Sequence, residues 1–220
     1  MKKHFTIVGF GDSITEAKTG TASEDEKWLN ILKIKLCGEF KDHSFNVINS
    51  GVGGNSTREA MSRFDKDVLA HDPDFVLLEF GGNNNDPGRP ERRVGFDEFK
   101  MLLAKYKNSI SAKCRTLVIT FPPVFKDQHI YGKNPDSLKY YDTCGGIEAD
   151  IEAYREITRE FANENNFPLF DLYAKLIELG QKHSRGKYTL NDGVHLTPEG
   201  NKVLAEYIYD ILRSLISSAE

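Results

Sequence analysis

An α/β fold, with a parallel sheet covered by helices on both faces, follows from three observations on this chain. Five short runs, at 5–10, 45–48, 75–80, 116–121 and 168–172, are apolar at nearly every residue and rich in β-branched or aromatic side chains. That is how strands buried on both faces read. Between the runs lie stretches with apolar residues three and four apart, the spacing of a helix with one buried face. The two signals alternate along the chain, which implies parallel strands joined by helical crossovers.

The helical stretches are read in order. Residues 96–110 place Phe96, Phe99, Leu103, Tyr106 and Ile110 on one face, and residues 147–161 do the same with Ile147, Ile151, Tyr154, Ile157 and Phe161. The last stretch carries Val203, Leu204, Tyr207, Ile208, Ile211, Leu212 and Leu215 on a broad face. These faces belong to the core, their aromatics included. Thr197 reads as the N-cap of that last helix, with Pro198 at its first position. Segment 123–146 breaks the rhythm. It holds prolines and glycines together with Phe125, Tyr131, Tyr140 and Tyr141, and reads as a long functional connection.

Composition narrows the class. The chain has 220 residues, read as a single domain over 1–220, with 39% hydrophobic and 28% charged residues and a net charge of −4. A chain of this length buries about 70% of its unfolded surface and needs no disulfide or metal staple. The acidic balance argues against nucleic-acid binding and gives no pull toward an anionic membrane. Cys37, Cys114 and Cys144 are scattered, with no CxxC pair, so neither a zinc site nor a disulfide framework is signalled. Run 5–10 is too short for a secretory signal and is closed by Asp12, and no run approaches the ~20 residues of a membrane span. The expectation is a cytoplasmic protein without membrane insertion, metal or cofactor. The sequence carries no signal of oligomeric state, and a monomer is the default.

Ligands of such sheets bind at the carboxyl ends of the strands, so chemistry is sought after each run. After the first stand Gly11, Asp12, Ser13 and Ile14. The third glycine of a dinucleotide fingerprint is missing, and no P-loop is present. What remains is a serine at a strand-to-helix turn, which also reads as a helix cap. After the second run, Gly51, Gly53 and Gly54 can aim backbone N–H groups into a site. After the third come Gly81, Gly82, Asn83 and Asn84, where an Asn amide can donate a hydrogen bond or simply form a turn. Near the end, Asp192 precedes His195 by three residues, a spacing that lets the acid meet Nδ1 and leaves Nε2 free to accept a proton. A nucleophile, a base, an orienting acid and two oxyanion donors make up the parts list of acyl transfer. The order Ser, Asp, His also occurs in α/β-hydrolases, but their GxSxG elbow needs glycine where Thr15 stands.

With these blocks in place, the chain resembles the SGNH hydrolase superfamily, the GDSL-type esterases and lipases. Four blocks match in order: Gly11-Asp12-Ser13-Ile14, then 49–54, then Gly81-Gly82-Asn83, then Asp192-Gly193-Val194-His195. The resemblance implies a flavodoxin-like three-layer α/β/α sandwich with a five-stranded parallel sheet. It assigns Ser13, Asp192 and His195 as the catalytic triad, and the N–H groups of Ser13 and Gly54 with the Asn83 amide as the oxyanion hole. One departure is Asn84, where the family often has Asp; any cap or salt link made by that Asp is in question. The implied activity is hydrolysis of carboxylic esters of small molecules, with short acyl groups favoured, such as acetyl on a carbohydrate. Lysophospholipase, thioesterase or acyltransferase chemistry, and a non-catalytic binding module of the same fold, are the alternatives. Segment 123–146 follows the fourth run and should emerge beside Ser13, where its tyrosines would wall the pocket and its glycines act as hinges.

Overall fold

The structure, a computed structural model, describes residues 3–217. Five parallel strands form one sheet in the order β2-β1-β3-β4-β5. They are β1 (Lys3–Gly11), β2 (His43–Gly51), β3 (Phe75–Glu79), β4 (Arg115–Ile119) and β5 (Leu169–Phe170). Each apolar run lies on one strand, and the order is that of a flavodoxin-like sheet. Strand β3 is central and buried at every residue. Strand β2 lies at the edge, and most of its residues are only partly buried or exposed, as an edge strand with a wet side should be.

Nine α-helices are described: α1 (Ser13–Glu16), α2 (Trp28–Glu39), α3 (Thr57–Met61), α4 (Phe64–Asp67), α5 (Phe96–Ser109), α6 (Pro135–Asp142), α7 (Ile147–Glu164), α8 (Leu172–Lys182) and α9 (Pro198–Ser217). Side chains alternate across the pleat. Ile7, Leu77, Leu117 and Ile119 pack with Trp28, Leu32, Leu176, Leu204 and Ile208 on one face. Val8, Phe10, Val76, Leu78 and Val118 pack with Phe64, Phe99, Leu103, Tyr154 and Phe161 on the other. This is the three-layer sandwich. No helix among the described residues is long and apolar enough to cross a membrane.

Three details differ from the sequence pattern. The run at 168–172 yields only two strand residues, because Asp171 turns away to cap α8 and accepts from Ala174 N at 3.0 Å. Phe96 and Tyr207, placed on core faces by spacing, are 41% and 37% exposed. They lie at the margins of their stripes, Phe96 tilted against Tyr154 and Tyr207 stacked on Phe170. Segment 123–146 is not a bare loop, since Asn134 caps α6 through the Asp136 and Ser137 N–H groups at 3.0 Å each. The last helix does begin at Pro198, with the Thr197 hydroxyl accepting from Gly200 N at 3.1 Å.

Candidate active site

The order of strands reverses between β1 and β3, which opens a crevice at their carboxyl ends. Four turns meet there. The turn after β1 carries Ser13 as the first residue of α1, so its N–H lies outside the helix ladder. Ser13 is not the cap of that helix: Asp12 is, accepting from Ile14 N at 3.0 Å. The Ser13 hydroxyl is thereby left for other partners.

His195 Nε2 lies 2.9 Å from Ser13 Oγ, and His195 Nδ1 lies 2.7 Å from Asp192 Oδ2. The other Asp192 oxygen accepts the N–H groups of Val194 and His195, each at 3.0 Å. Burial pushes the Asp192 carboxyl up, but the Val194 N–H and the His195 ring outweigh it, and the group settles below the usual aspartate value. An ionised Asp192 can only accept, so Nδ1 carries the hydrogen between them and Nε2 is left as the acceptor for the serine proton. Gly193 makes this turn with φ of +81°, a conformation glycine adopts without strain.

The turn after β2 approaches from one side. Gly54 has φ of +73°, and a Cβ added at neighbouring Gly53 would lie 3.8 Å from Ser13 Cβ. The Gly53 N–H is taken by Glu16 Oε2 at 3.0 Å. The Gly54 N–H has no partner among the described residues, and Arg92 grips the Gly54 carbonyl and Glu59 together. Of the two glycines, Gly54 is therefore the one with an N–H to offer. Arg63 clamps the strand ends beneath, donating to Gly11 O at 2.9 Å, Ser50 O at 2.7 Å and Asn55 Oδ1 at 2.8 Å.

The turn after β3 supplies Asn83, whose amide donates one hydrogen to Asp12 Oδ2 at 2.8 Å. An amide nitrogen has a second hydrogen. Asn84 is fully buried, and its Oδ1 accepts both the N–H and the hydroxyl of Thr57 at 2.9 Å each. Asn84 therefore does the capping that its departure from Asp had put in question, at the start of α3. Asn85 is also buried and donates to Asp150 Oδ1 at 2.8 Å.

Ser13, Asn83 and His195 open on a cavity of about 110 Å³. Phe121, Val124, Ile147 and Ile151 make it apolar, and His129, Ile130, Tyr131 and Tyr141 close one side. Segment 123–146 thus lies beside Ser13. Tyr131 and Tyr141 line the cavity, whereas Tyr140 does not and bonds Asn85 Oδ1 at 2.6 Å. A Cβ at Gly132 would lie 1.7 Å from Lys126 O, so close packing accounts for the glycine there. A larger groove of about 260 Å³, between α5 and α7, holds none of these groups.

Some residues of the site carry no motif. Asp12 stands inside the GDS block but drew no separate role. Glu79 is an acid within an apolar run, a signal that was available. His129 and Arg63 have none, because only the folded chain brings them to the site.

A flavodoxin-like sandwich with a serine at the end of its first strand, facing a histidine–aspartate turn, is the architecture of SGNH hydrolases. The chain belongs to the GDSL-like lipase/acylhydrolase family, whose sequence pattern matches residues 10–203. It is 26% identical to the uncharacterized lipoprotein YqeF of Bacillus subtilis, over 93% of this chain and 88% of that one. It is 24% identical to an acetylxylan esterase of Geobacillus stearothermophilus, over 76% and 71%. The fold of a lipase/acylhydrolase from Enterococcus faecalis matches with a TM-score of 0.75 at 23% identity, covering 97% of this chain and 96% of that one.

Proposed function

We propose that the protein is a serine esterase acting on short acyl esters, with Ser13 as nucleophile, His195 as base and Asp192 as its orienting acid. The chain of hydrogen bonds from Ser13 Oγ to His195 to Asp192, 2.9 and 2.7 Å long, carries this reading. Ser13 Oγ attacks the ester carbonyl carbon while its proton passes to Nε2. The carbonyl oxygen becomes an oxyanion, held by the Ser13 and Gly54 N–H groups and the second hydrogen of the Asn83 amide. The intermediate collapses, the C–O bond to the alcohol breaks, and the imidazolium returns its proton to the leaving oxygen. Water then repeats the sequence on the acyl-enzyme and frees the acid.

The small apolar cavity beside Ser13 supports a short acyl group. Relatedness to an acetylxylan esterase supports acetyl on a carbohydrate as the first class to assay. The test is hydrolysis of p-nitrophenyl esters from acetate to octanoate, with acetylated xylo-oligosaccharides alongside, by wild type and Ser13→Ala. Acetate should be the best acyl group, and Ser13→Ala should be inactive. A preference for long acyl chains would favour the lysophospholipase or thioesterase alternative. Turnover that survives Ser13→Ala would overturn the assignment of the nucleophile.

A further inference from the structure

One buried acid has no task in this scheme. Glu79 closes β3 in register with Gly11 and is 1% exposed. Its carboxyl meets that of Asp12, which is fully buried, where β3 and β1 end side by side, and the two can share one hydrogen bond. A hydrogen bond between two carboxyls requires that one of them hold a proton. Asp12 accepts from Ile14 N at 3.0 Å and from Asn83 Nδ2 at 2.8 Å, and it lies in the field of His195. Burial pushes the Asp12 carboxyl up to about 6, but each of these contacts favours its ionised form and keeps it below Glu79. Glu79 accepts one hydroxyl, that of Thr15 at 3.1 Å, and no N–H or O–H donor reaches its Oε1. The proton therefore resides on Glu79. Burial and the Asp12 charge push its carboxyl well above the ordinary range.

We propose that Glu79 is a positioning residue for the reaction: as a neutral acid it donates to Asp12, and Asp12 holds the Asn83 amide with its remaining hydrogen turned to the oxyanion. The inference rests on the esterase reading above, which supplies the oxyanion. It gives a reason for an acid at a position that packing alone would fill with Leu or Val. The charged groups around the pair are Asp12 itself, His195 across the cavity, and Arg63, which is bound to Gly11, Ser50, Asn55 and Asp67.

The test compares wild type, Glu79→Gln, Glu79→Ala and Ser13→Ala with p-nitrophenyl acetate across neutral and alkaline pH. A glutamine amide can donate to Asp12 and accept from Thr15, so Glu79→Gln should keep kcat near the wild-type value. Glu79→Ala should lose about tenfold in kcat with KM little changed, less than the 10²–10³ expected for deleting an oxyanion donor. Wild type should lose activity at alkaline pH as Glu79 ionises beside Asp12, and Glu79→Gln should not. Wild-type kcat in Glu79→Ala, an equal loss in Glu79→Gln, or superimposed alkaline limbs would each overturn the proposal. If Glu79→Ala does not fold, the Glu79→Gln profile decides. Infrared spectroscopy supplies a readout without turnover: wild type at neutral pH should show a protonated-carboxyl band that Glu79→Gln removes. Lack of that band overturns the proposal even if the protein hydrolyses no ester, whereas wild-type inactivity with the band present overturns only the esterase reading.

Discussion

Tyr141 donates its phenol hydrogen to the backbone carbonyl of Asn85 across 2.7 Å. The bond ties segment 123–146, which walls the cavity, to the turn that carries Asn83, the proposed oxyanion donor. Tyr141→Phe leaves that carbonyl buried without its partner, at a cost of about 1–3 kcal/mol. Calorimetry should show a melting temperature lower by roughly 2–4 °C per kcal/mol lost. The acyl-length preference should broaden, because the ring that lines the cavity is no longer pinned. An unchanged melting temperature would show that the phenol contributes nothing to holding the segment.

Asp192→Asn keeps an oxygen for the Val194 and His195 N–H groups, so the turn should survive. Its amide, facing Nδ1, would hold the imidazole in the tautomer with hydrogen on Nε2, which cannot take the serine proton. Turnover of p-nitrophenyl acetate should fall on the order of 10³–10⁴ with the melting temperature within a few degrees of wild type. A loss under tenfold would mean that Asp192 orients nothing that matters to the rate.

Asn83 and Asn84 should separate rate from stability. Asn83→Ala removes the proposed oxyanion donor and should lower kcat by about 10²–10³ in a folded protein. Asn84→Ala strips both acceptor contacts from Thr57 in a fully buried place and should cost about 1–3 kcal/mol of stability. Its effect on kcat, measured on the folded fraction, should be much the smaller. Stopped-flow rates beside denaturant titrations of both variants would show whether the two roles are reversed.

The proton on Glu79 also makes a statement about stability. The folded state binds it more tightly than the unfolded state, whose glutamate titrates near 4.5. The stabilising contribution is complete below that value and is lost as pH rises toward the folded pKa. Glutamine does not titrate. The unfolding free energy of Glu79→Gln relative to wild type, from denaturant titrations, should therefore climb as pH is raised from 5 to 9, by at most about 1.4 kcal/mol per pH unit. A difference that stays constant over this range would place the proton elsewhere.

The strands were legible because the inner ones, β1, β3 and β4, are buried by the sheet and its covering helices, which demands apolar residues in a row. Helices α5, α7 and α9 were legible for the matching reason, a stripe facing one side. Helix α2 was harder to see: Trp28, Leu29, Ile31, Leu32, Ile34 and Leu36 run almost round it, and Ile34 is 59% exposed, so no single period stands out. Helix α8 starts inside a run that reads as strand. At the site, the motif blocks gave away the residues that lie in sequence beside glycines. Contacts such as Glu79 with Asp12, or Tyr141 with Asn85, depend on which strand lies next to which. The β1–β3 pairing brings the first two together and the β3–β4 pairing the second two.

Ser13 and His195 are 182 residues apart. A ribosome adding about 5–20 residues per second would deliver the proposed nucleophile roughly 10–40 s before its base. During that interval the nascent chain carries a serine with no proton acceptor. It also lacks α9, whose Leu204, Ala205 and Ile208 complete one face of the sheet. A prematurely terminated product lacking the Asp192–His195 turn would be without the proposed base, whatever part of the sandwich it managed to form. On the proposed mechanism, competence to cleave esters thus waits until the chain has been made through His195.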